Sequence, residues 1–232
     1  TLELMLSADD VAIFAAYEAG DLDFIDTVPN DKIQSVIGTP EFFIAEQLGT
    51  YYASFNIKSE LFDGMTADQA KAMRKGLSAL IDRQDIVETV GQTGQKVANS
   101  FIPAGMYDGN GGIFKANDET YTFPNGEGYF SEEVDIDAAI ALLTEAGFKF
   151  DENGMLSAET PLSFEYLTNE GTGHVAIAET IQFNLAQVGI EMTIRSAEWN
   201  VFLNDRKAGL YDIARNGWIA DFNDPINMLE MW

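Results

Sequence analysis

The sequence predicts an α/β fold with helices packed on a sheet, and two observations lead to that prediction. Between residues 137 and 217, stretches in which apolar residues alternate are interleaved with stretches in which they recur every three or four positions. The first pattern is typical of strands and the second of helices, and their alternation along a chain is typical of α/β domains. Of the 232 residues, 46% are hydrophobic, which is enough for one large domain or two small ones.

The first 90 residues predict three helices and one strand. A helix is expected over residues 9–19, where two aspartates suit the N-terminal end and Gly20 ends it. The aromatic stretch 51–56 is typical of a strand. Thr66 suits the N-cap of the long helix that follows, and a shorter helix is expected over 85–90.

Residues 91–130 differ from the rest of the chain, with eight glycines, two prolines and aromatic side chains that follow no period. The sequence predicts a long irregular segment here. Such loops are uncommon within a domain and are often functional. We expect this one to pack through its aromatic side chains, Phe101, Tyr107, Phe114, Tyr121 and Tyr129.

The remaining residues carry the regular alternation of strands and helices. Glycine follows the expected helices because it adopts the left-handed conformation that ends a helix. The expected order is a helix over 137–146 closed by Gly147, a strand over 162–166, a helix ending at Gly189, a strand over 190–194, a helix capped by Ser196 and ending near Gly209, a strand over 211–217, and the beginning of an apolar helix.

The chain is strongly acidic, with 38 Asp and Glu against 13 Lys and Arg and a formal net charge of −25. Such a surface repels phosphate backbones and anionic lipid, so nucleic acid and membrane surfaces are poor partners, and a monomer is expected. The acidity favours a lipid-anchored surface protein, and the alternative of a soluble periplasmic protein stays open. The absence of cysteine excludes disulfides, thiolate metal sites and a cysteine nucleophile.

Few residue sets suggest an enzyme. His174 is the single histidine, and no cysteine or motif-placed serine accompanies it, so a structural or surface role is expected. Neighbouring acids leave a glycoside hydrolase open as an alternative, although such pairs arise by chance in so acidic a chain. The acid pairs are Glu132 with Glu133 and Asp135 with Asp137.

Two glycine-containing turns superficially resemble calcium loops. They lie at residues 108–112 and 151–154. Neither has the spacing of a calcium-binding loop, and no phosphate or dinucleotide fingerprint is present. We therefore expect no metal and no cofactor.

Four residues near the end of the chain form a candidate ligand site around Gly217. Arg206, Arg215, Trp218 and Asp221 lie near the expected end of a strand, where ligands bind in open α/β sheets. If the ligand is a peptide, Asp221 would bind its terminal ammonium and one of the two arginines would bind its terminal carboxylate. Trp218 would offer apolar surface to the side chains of the peptide. The alternative is that Trp218 belongs to the core and the arginines balance surface acids.

Residues 211–225 read YDIARNGWIADFNDP and resemble the "YD…GW.ADY.DP" segment of periplasmic oligopeptide-binding proteins. Other segments are similar to the same family, in the same order and with matching spacing. They are the GDLD turn at 20–23, the strand at 50–56, the helix LSALIDR at 77–83 followed by Ile86 and Val87, the loop FIPAG at 101–105, and VGIEMTI at 188–194 with Glu198, Trp199 and Phe202. The resemblance covers nearly the whole chain.

The resemblance implies a lobe like those of type II periplasmic-binding proteins, with a mixed sheet flanked by helices. Residues 1–232 would form a single α/β lobe, most of the family's third domain, with the irregular segment at 91–130. The partner lobe would be built from the family's N- and C-terminal portions, which lie outside this sequence.

The resemblance also implies site residues. Asp221 would pair with the α-ammonium of a peptide. Backbone and ring contacts along the extended peptide would come from Gly217, Trp218 and Ile219. Arg206 and Arg215 lie where oligopeptide-binding members carry arginines near the cleft.

The function implied is the capture of short peptides for import by an ABC transporter, whose membrane permease is the partner. The protein would be extracytoplasmic, at the cell surface as a lipoprotein or in the periplasm, and it would not be an enzyme. A protein of the same fold for a non-peptide ligand, such as an oligosaccharide or a metal complex, stays open because several members of the family bind such ligands.

Overall fold

The computed structural model describes residues 1–116 and 134–231. The strands in this part of the chain are β1 (Gly49–Phe55), β2 (Ser163–Asn169), β3 (Glu191–Ala197) and β4 (Ile213–Ile219). The helices are α1 (Asp10–Glu18), α2 (Ile33–Val36), α3 (Ala67–Ala79), α4 (Arg83–Asp85), α5 (Ile136–Glu145), α6 (Thr172–Ala186), α7 (Trp199–Ala208) and α8 (Ile226–Leu229). α4 continues into a π-helical turn at Ile86–Gly91, and short 3₁₀ turns lie at Asn30–Lys32, Glu60–Phe62 and Phe114–Ala116.

One mixed sheet organises the described residues, with its four strands in the order β1-β4-β2-β3. β1 runs antiparallel to β4, and β2 runs parallel to β3, each along its full length. β2 and β4 are parallel and pair at Tyr166 with Ile213 and at Leu167 with Ala214. The mixed sheet that the resemblance implied is therefore confirmed.

β4 continues past its last partner in β2. Beyond Ala214, residues 215–219 pair with β1 and lie outside the β2 ladder. At about 3.3 Å per residue, these five positions span about 13 Å. This stretch is the part of the sheet that carries most of the candidate site.

The main core lies between one face of the sheet and helices α3, α5 and α6. Met73 and Leu77 of α3 and Leu143 of α5 are almost completely buried in it. Leu162, Phe164 and Tyr166 enter it from β2, which confirms the alternation predicted for that strand. Burying one such side chain contributes roughly 1.5–3 kcal/mol, so this cluster dominates the stability of the described residues.

Gly76 allows α3 and α5 to approach closely. A Cβ at this position would lie 2.8 Å from Cγ of Leu143 and 3.1 Å from the carbonyl oxygen of Ala139. Both atoms belong to α5, so a side chain here would force the two helices apart. Glycine weakens a helix interior, and here the close packing explains its use.

The opposite face of the sheet is covered by α7. Phe202 of α7 is fully buried against Leu167 of β2 and Ala214 of β4. In β4, Ile213 belongs to the main core while the next residue, Ala214, faces α7, as expected for a strand buried on both sides. The described residues therefore confirm a sheet flanked by helices.

A third cluster joins the irregular segment to the end of β4. Ile102, Met106 and Met228 are buried together, and Trp218 packs against them. The edge of the Phe101 ring meets Tyr52 at a centroid distance of 5.1 Å, which confirms the predicted packing of that residue. This cluster holds residues 101–106 against the sheet.

The predicted packing of two other aromatic residues in the segment is wrong. Tyr107 is 58% exposed and Phe114 is 43% exposed. Tyr121 and Tyr129 lie outside the described residues. In the described residues from 92 to 116, the only regular features are the 3₁₀ turn at Phe114–Ala116 and a bridge between Tyr107 and Ile113.

The helix caps confirm one prediction and correct another. Thr66 caps α3 and forms a capping box with Gln69. Ser196, by contrast, lies inside β3, and α7 is capped by Glu198, whose carboxylate accepts from the backbone N–H groups of Asn200 and Val201. A carboxylate at this place also suits the positive end of the helix.

The last strand lies two residues later than the sequence indicated. β4 was expected over 211–217 but runs from Ile213 to Ile219. The cause is β1, which pairs with β4 up to Ile219 and could not be assigned as its neighbour from local pattern. Gly217 is therefore an interior strand residue.

Within residues 1–116 and 134–231, no helix combines the length and the apolar character that a bilayer crossing requires.

Candidate ligand-binding site

The candidate site lies at the carboxyl ends of the parallel strands. Asn169 ends β2, Trp199 begins the helix that follows β3, and Arg215 is the first residue of β4 beyond its paired positions with β2. In open α/β sheets, ligands bind outside this edge because loops and helix N-termini converge there. The fold thus places Arg215 where a ligand is expected.

Two neighbours hold the guanidinium of Arg215 by hydrogen bonds. Its Nε donates to Oδ1 of Asn169 at 2.7 Å, and its Nη2 lies 3.0 Å from Nε2 of His174. Because a guanidinium is only a donor, Nε2 of His174 must be the acceptor and the ring proton must lie on Nδ1. His174 is therefore neutral in this arrangement.

Aromatic rings surround the same guanidinium. Its Cζ lies 5.3 Å from the ring centroid of Phe202, 5.5 Å from that of Trp199 and 5.6 Å from that of Tyr51. These distances are in the range of cation–π attraction. Burial lowers the pKa of Arg215, and the nearby charge of Arg206 acts in the same direction.

Arg215 has no carboxylate partner among the residues that the structure describes. Two of the acids near it in sequence are used elsewhere. Asp205 binds Nη1 of Arg195 at 2.5 Å, and Asp212 accepts from the Ser59 hydroxyl and from the backbone N–H of Glu165. The alternative that this arginine balances surface acids is therefore not supported in the described part.

Arg206 approaches the same group of residues from α7. Its Cζ lies 5.3 Å from the ring centroid of Phe202, the ring that Arg215 also meets. Within residues 1–116 and 134–231 it forms no ion pair. Two like charges at one ring repel each other, so an anion placed between them would be favoured by both.

A structural or surface role was expected for His174, and the structure places this residue beside Arg215 and Tyr51. Its ring lies 5.6 Å from that of Tyr51, centroid to centroid, beside the contact with Arg215. Burial lowers the pKa of His174 to about 4, with Arg215 as the second cause. The side chain is therefore neutral near pH 7, yet a nearby anion would favour its protonation.

Gly217 provides space for a ring. A Cβ at Gly217 would lie 2.4 Å from Cδ1 of Tyr51, its partner across the strand pair. Only glycine allows the Tyr51 ring to cover this position, from which it reaches Arg215 and His174. Ile219, the last residue of β4, is 46% exposed.

Trp218 and Asp221 form a second group, beyond the arginines. Nε1 of Trp218 donates to Oδ1 of Asn227 at 3.1 Å, and the backbone N–H of Asp221 donates to the same oxygen at 2.8 Å. Asn227 is almost completely buried. Trp218 is partly core, as the alternative anticipated, while the Asp221 residue is exposed at the end of β4.

The sequence did not identify several members of the site. Asn169, Tyr51 and Trp199 reach Arg215 from β2, β1 and α7, and Asn227 fixes the turn after β4. The single histidine was a signal, but its partner lies 41 residues away in the sequence. None of these contacts follows from local spacing.

The acid pairs and turns do not form a catalytic or metal site in the described residues. Asp135 caps α5 by accepting from the Ala138 N–H at 2.9 Å, which explains its position before that helix. Glu132 and Glu133 lie outside the described residues. In the described part of the chain, no group of three His, Cys, Asp or Glu could hold a metal ion.

An open groove of about 420 Å³ lies near the opposite end of β4. Its lining includes Lys58, Glu165 and Asp212. Glu60 lines it too, so three carboxylates lie beside the cation of Lys58, and this balance of charge disfavours an anionic ligand. The arginine-bearing edge is the better candidate for an anionic ligand.

Arg215 on β4 and Arg206 on α7 both approach the ring of Phe202, and neither forms an ion pair in the described part of the chain. The chain belongs to the bacterial extracellular solute-binding proteins, family 5, whose middle-region model matches residues 2–232. Members of this family are binding proteins, and the relatives named below include periplasmic ones.

Three curated relatives illustrate the similarity. The oligopeptide-binding protein OppA of Bacillus subtilis is 28% identical over 221 residues, which are 93% of this chain and 36% of that protein. The periplasmic murein peptide-binding protein MppA of Escherichia coli is 30% identical over 221 residues, with the same coverage. The probable deoxycholate-binding periplasmic protein YgiS of E. coli is 26% identical over 240 residues, 98% of this chain and 38% of that protein.

Solved structures share the fold. The murein tripeptide-binding protein MppA of E. coli superposes with a TM-score of 0.73 at 26% identity, covering 95% of this chain and 39% of that one. The complex of Haemophilus influenzae OppA with RPPGFSPFR gives a TM-score of 0.71 at 26% identity. The match covers 94% of this chain and 39% of that one. The chain thus spans little more than a third of the length of these relatives.

Proposed function

We propose that the whole protein to which this chain belongs captures short peptides outside the cytoplasm for import by an ABC transporter. The observation that carries the proposal is Arg215, a partly buried cation held by neutral groups alone among the described residues. A cation so placed favours an anionic ligand group, and a peptide carboxylate has the right charge and shape.

The carboxylate site would consist of Arg215, His174 and Arg206. A carboxylate beside Arg215 would offset the desolvation of the guanidinium, which now has only neutral partners. It would also lie between two cations that otherwise repel each other. Tyr51 and Trp199 would shield the ion pair from water and so strengthen it.

The ammonium site would be Asp221. The part of β4 from Arg215 to Ile219 spans about 13 Å at 3.3 Å per residue, and Asp221 lies just beyond it. An extended peptide of three or four residues has about that length between its termini. Opposite charges separated in this way would select short peptides with free termini.

The strand between the two charges would hold the peptide backbone. Residues 215–219 pair with β1 and lie outside the β2 ladder, so Gly217, Trp218 and Ile219 are well placed to meet an extended chain. Binding through main-chain groups tolerates different side chains. This supports a carrier of broad sequence preference.

The family also supports a proposal for the architecture of the whole protein. Residues 1–232 would form one α/β lobe, and a second lobe outside this sequence would close on it around the ligand. The closed form would deliver its peptide to the membrane permease of the transporter. The protein would lie in the periplasm or at the cell surface as a lipoprotein. The extracellular family and the periplasmic relative MppA support a place outside the cytoplasm.

A second candidate is an anionic ligand that is not a peptide. The similarity to a probable deoxycholate-binding protein favours it. Such a ligand would use the arginines and would leave Asp221 without a partner. Asp221 therefore distinguishes the two candidates.

Titration calorimetry on the whole protein tests the proposal. Tetra-alanine should bind, and its C-terminal amide should bind more weakly by about 2–5 kcal/mol, because Arg215 would be left without its partner. In Arg215→Met, the acid and the amide should bind almost equally. Lys149→Met, which removes an exposed cation far from β4 in the sequence, should keep the difference.

Two results would contradict the proposal. One is equal binding of the acid and the amide by the unaltered protein. The other is tight binding of deoxycholate with no binding of any peptide, which would support the second candidate instead.

A further inference from the structure

α6 begins without a capping side chain of its own. Its N-cap is Gly171, whose φ of 130° is one that other residues rarely adopt, and which has no side chain to accept from the first turn. The helix is 15 residues long and carries His174 in that first turn. The start of α6 must therefore be fixed from elsewhere in the molecule.

Asp10, at the start of α1, supplies the missing acceptor. Its Oδ2 accepts from the Thr172 hydroxyl at 2.9 Å and from the Thr172 backbone N–H at 3.4 Å. Thr172 is the first residue of α6 and lies 162 positions after Asp10 in the sequence. A carboxylate here also suits the positive end of the helix.

A second contact fixes the same threonine. The Thr172 hydroxyl oxygen accepts from the backbone N–H of Asn30 at 3.0 Å. The Asn30 side chain donates to the carbonyl of Val90, and Gln92 donates to the carbonyl of Asn30. Asp10 and Asn30 thus join two N-terminal segments and the end of the π-helical turn to the start of α6.

The first turn of α6 leads directly to the proposed ligand site. His174 follows Thr172 by two residues, and its Nε2 meets Arg215. The groups that face His174 are Arg215 on β4 and the Tyr51 ring on β1. A small rotation of this turn would break the contact with Arg215.

We infer that Asp10 is a positioning residue for the His174–Arg215 pair: by capping α6 through Thr172 it sets where the imidazole meets the guanidinium. The inference deepens the proposed function, because the same pair forms the proposed site for the ligand carboxylate. The side chain of Asp10 acts through Thr172, and in the described part of the chain it forms no ion pair with Arg215.

Nuclear magnetic resonance on the 232-residue chain tests the inference, since the sheet and the main core consist of its own residues. His174 is the single histidine, so its ring signals are unambiguous. Its pKa is depressed to about 4 by burial and by Arg215. Asp10→Ala should release the turn and raise this pKa by about one unit or more, towards the ordinary value near 6.5.

The direction of the change separates positioning from charge. Loss of a negative charge alone would disfavour the imidazolium and lower the pKa of His174 further. Asp10→Asn keeps an oxygen that accepts from Thr172 while it removes the charge, so it should leave the pKa of His174 unchanged or slightly lower. A rise in Asp10→Ala with no rise in Asp10→Asn is therefore the expected result.

Asp135→Ala is the matched control for a general loss of stability. Asp135 caps α5 as Asp10 caps α6, but it does not contact the first turn of α6. Its replacement should leave the pKa of His174 unchanged. The inference is overturned if Asp10→Ala also leaves that pKa unchanged, or if Asp135→Ala raises it equally.

Peptide affinity of the whole protein then tests the link to the site. Asp10→Ala should weaken tetra-alanine binding by about 3- to 10-fold, the size expected when one hydrogen-bonded contact is loosened. Asp10→Asn should restore most of the affinity. A raised pKa of His174 with unchanged affinity would support the positioning and contradict the proposed carboxylate site.

Discussion

The ring of Tyr51 lies over Gly217, its partner across the β1–β4 pair, at a point where a Cβ would come within 2.4 Å of the ring. The same ring is 5.6 Å from the guanidinium carbon of Arg215 and 5.6 Å, centroid to centroid, from His174. A single missing side chain on β4 thus allows one wall of the candidate site to form.

Gly217→Ala should displace Tyr51 and destabilise the chain by about 1–3 kcal/mol, the usual cost of overpacking. Urea denaturation measures the loss. In a Tyr51→Ala background the same change should cost much less, because the clash is gone. Gly173→Ala, where a Cβ meets nothing within 4 Å, is the control and should be neutral or stabilising. Equal losses for Gly217→Ala in both backgrounds would contradict the contact.

His174 should make stability depend on pH. Its folded pKa is about 4, against an unfolded value near 6.5, so between these values the unfolded chain binds the extra proton. The contribution of His174 to the free energy of unfolding is therefore fully present above about pH 6.5 and is lost as the pH drops towards 4. After allowance for the partial exposure of the residue, the loss is about 1–3 kcal/mol.

The difference between the chain and its His174→Gln variant isolates this effect from the carboxylates. Thermal unfolding of both proteins at several values between pH 4 and 7 gives the measurement. The variant should lose less stability over the interval. Parallel curves for the two proteins would show that His174 is not buried against Arg215.

Asn227→Ala should destabilise the end of β4. The change leaves the part-buried Trp218 and Asp221 N–H groups without their shared acceptor, which costs about 1 kcal/mol. Faster hydrogen exchange at the Asp221 amide would localise the effect. Asn200→Ala removes an exposed side-chain amide on α7 and is the control. It should leave hydrogen exchange at the backbone amide of Asp221 unchanged. Unaltered exchange in Asn227→Ala would rule out the anchoring role.

Asp221→Ala in the whole protein should weaken peptide capture by about 2–5 kcal/mol if the carboxylate holds a buried ammonium. N-acetylated tetra-alanine should bind the unaltered protein and the variant equally weakly, because it presents no ammonium. Glu191→Ala, an exposed acid on β3, serves as the control in the same titrations. An unchanged affinity in Asp221→Ala removes this residue from the site.

The 232-residue chain alone should bind peptide weakly or not at all. It spans 36% of the length of the first two relatives, and the proposed second lobe that would close over the ligand would lie outside it. Charge pairs open to water contribute about 0–1 kcal/mol each. Calorimetry that shows tight binding of tetra-alanine by this chain would contradict a site made of two lobes.

Local pattern predicted the regular elements well where burial repeats with a fixed period. β2 shows this, since Phe164 and Tyr166 enter the core on alternate positions, and so does α3, which begins after Thr66 as its capping preference indicates. The boundaries of β4 and the cap of α7 were missed. The boundaries of β4 depend on pairing with a strand that is distant in sequence. The cap of α7 is Glu198, whereas local preference indicated the serine two residues earlier.

The sequence by itself determined the class of fold, the family and the identity of the arginines, tryptophan and aspartate proposed as ligand contacts. These follow from periodicity, composition and an ordered set of motifs, which are local properties of the chain. Only the tertiary structure decided what surrounds Arg215. Asn169, His174 and Tyr51 come from three separate elements, and they meet because β1 and β2 flank the same strand. Contacts between elements distant in sequence depend on how the chain packs, and no local pattern encodes them.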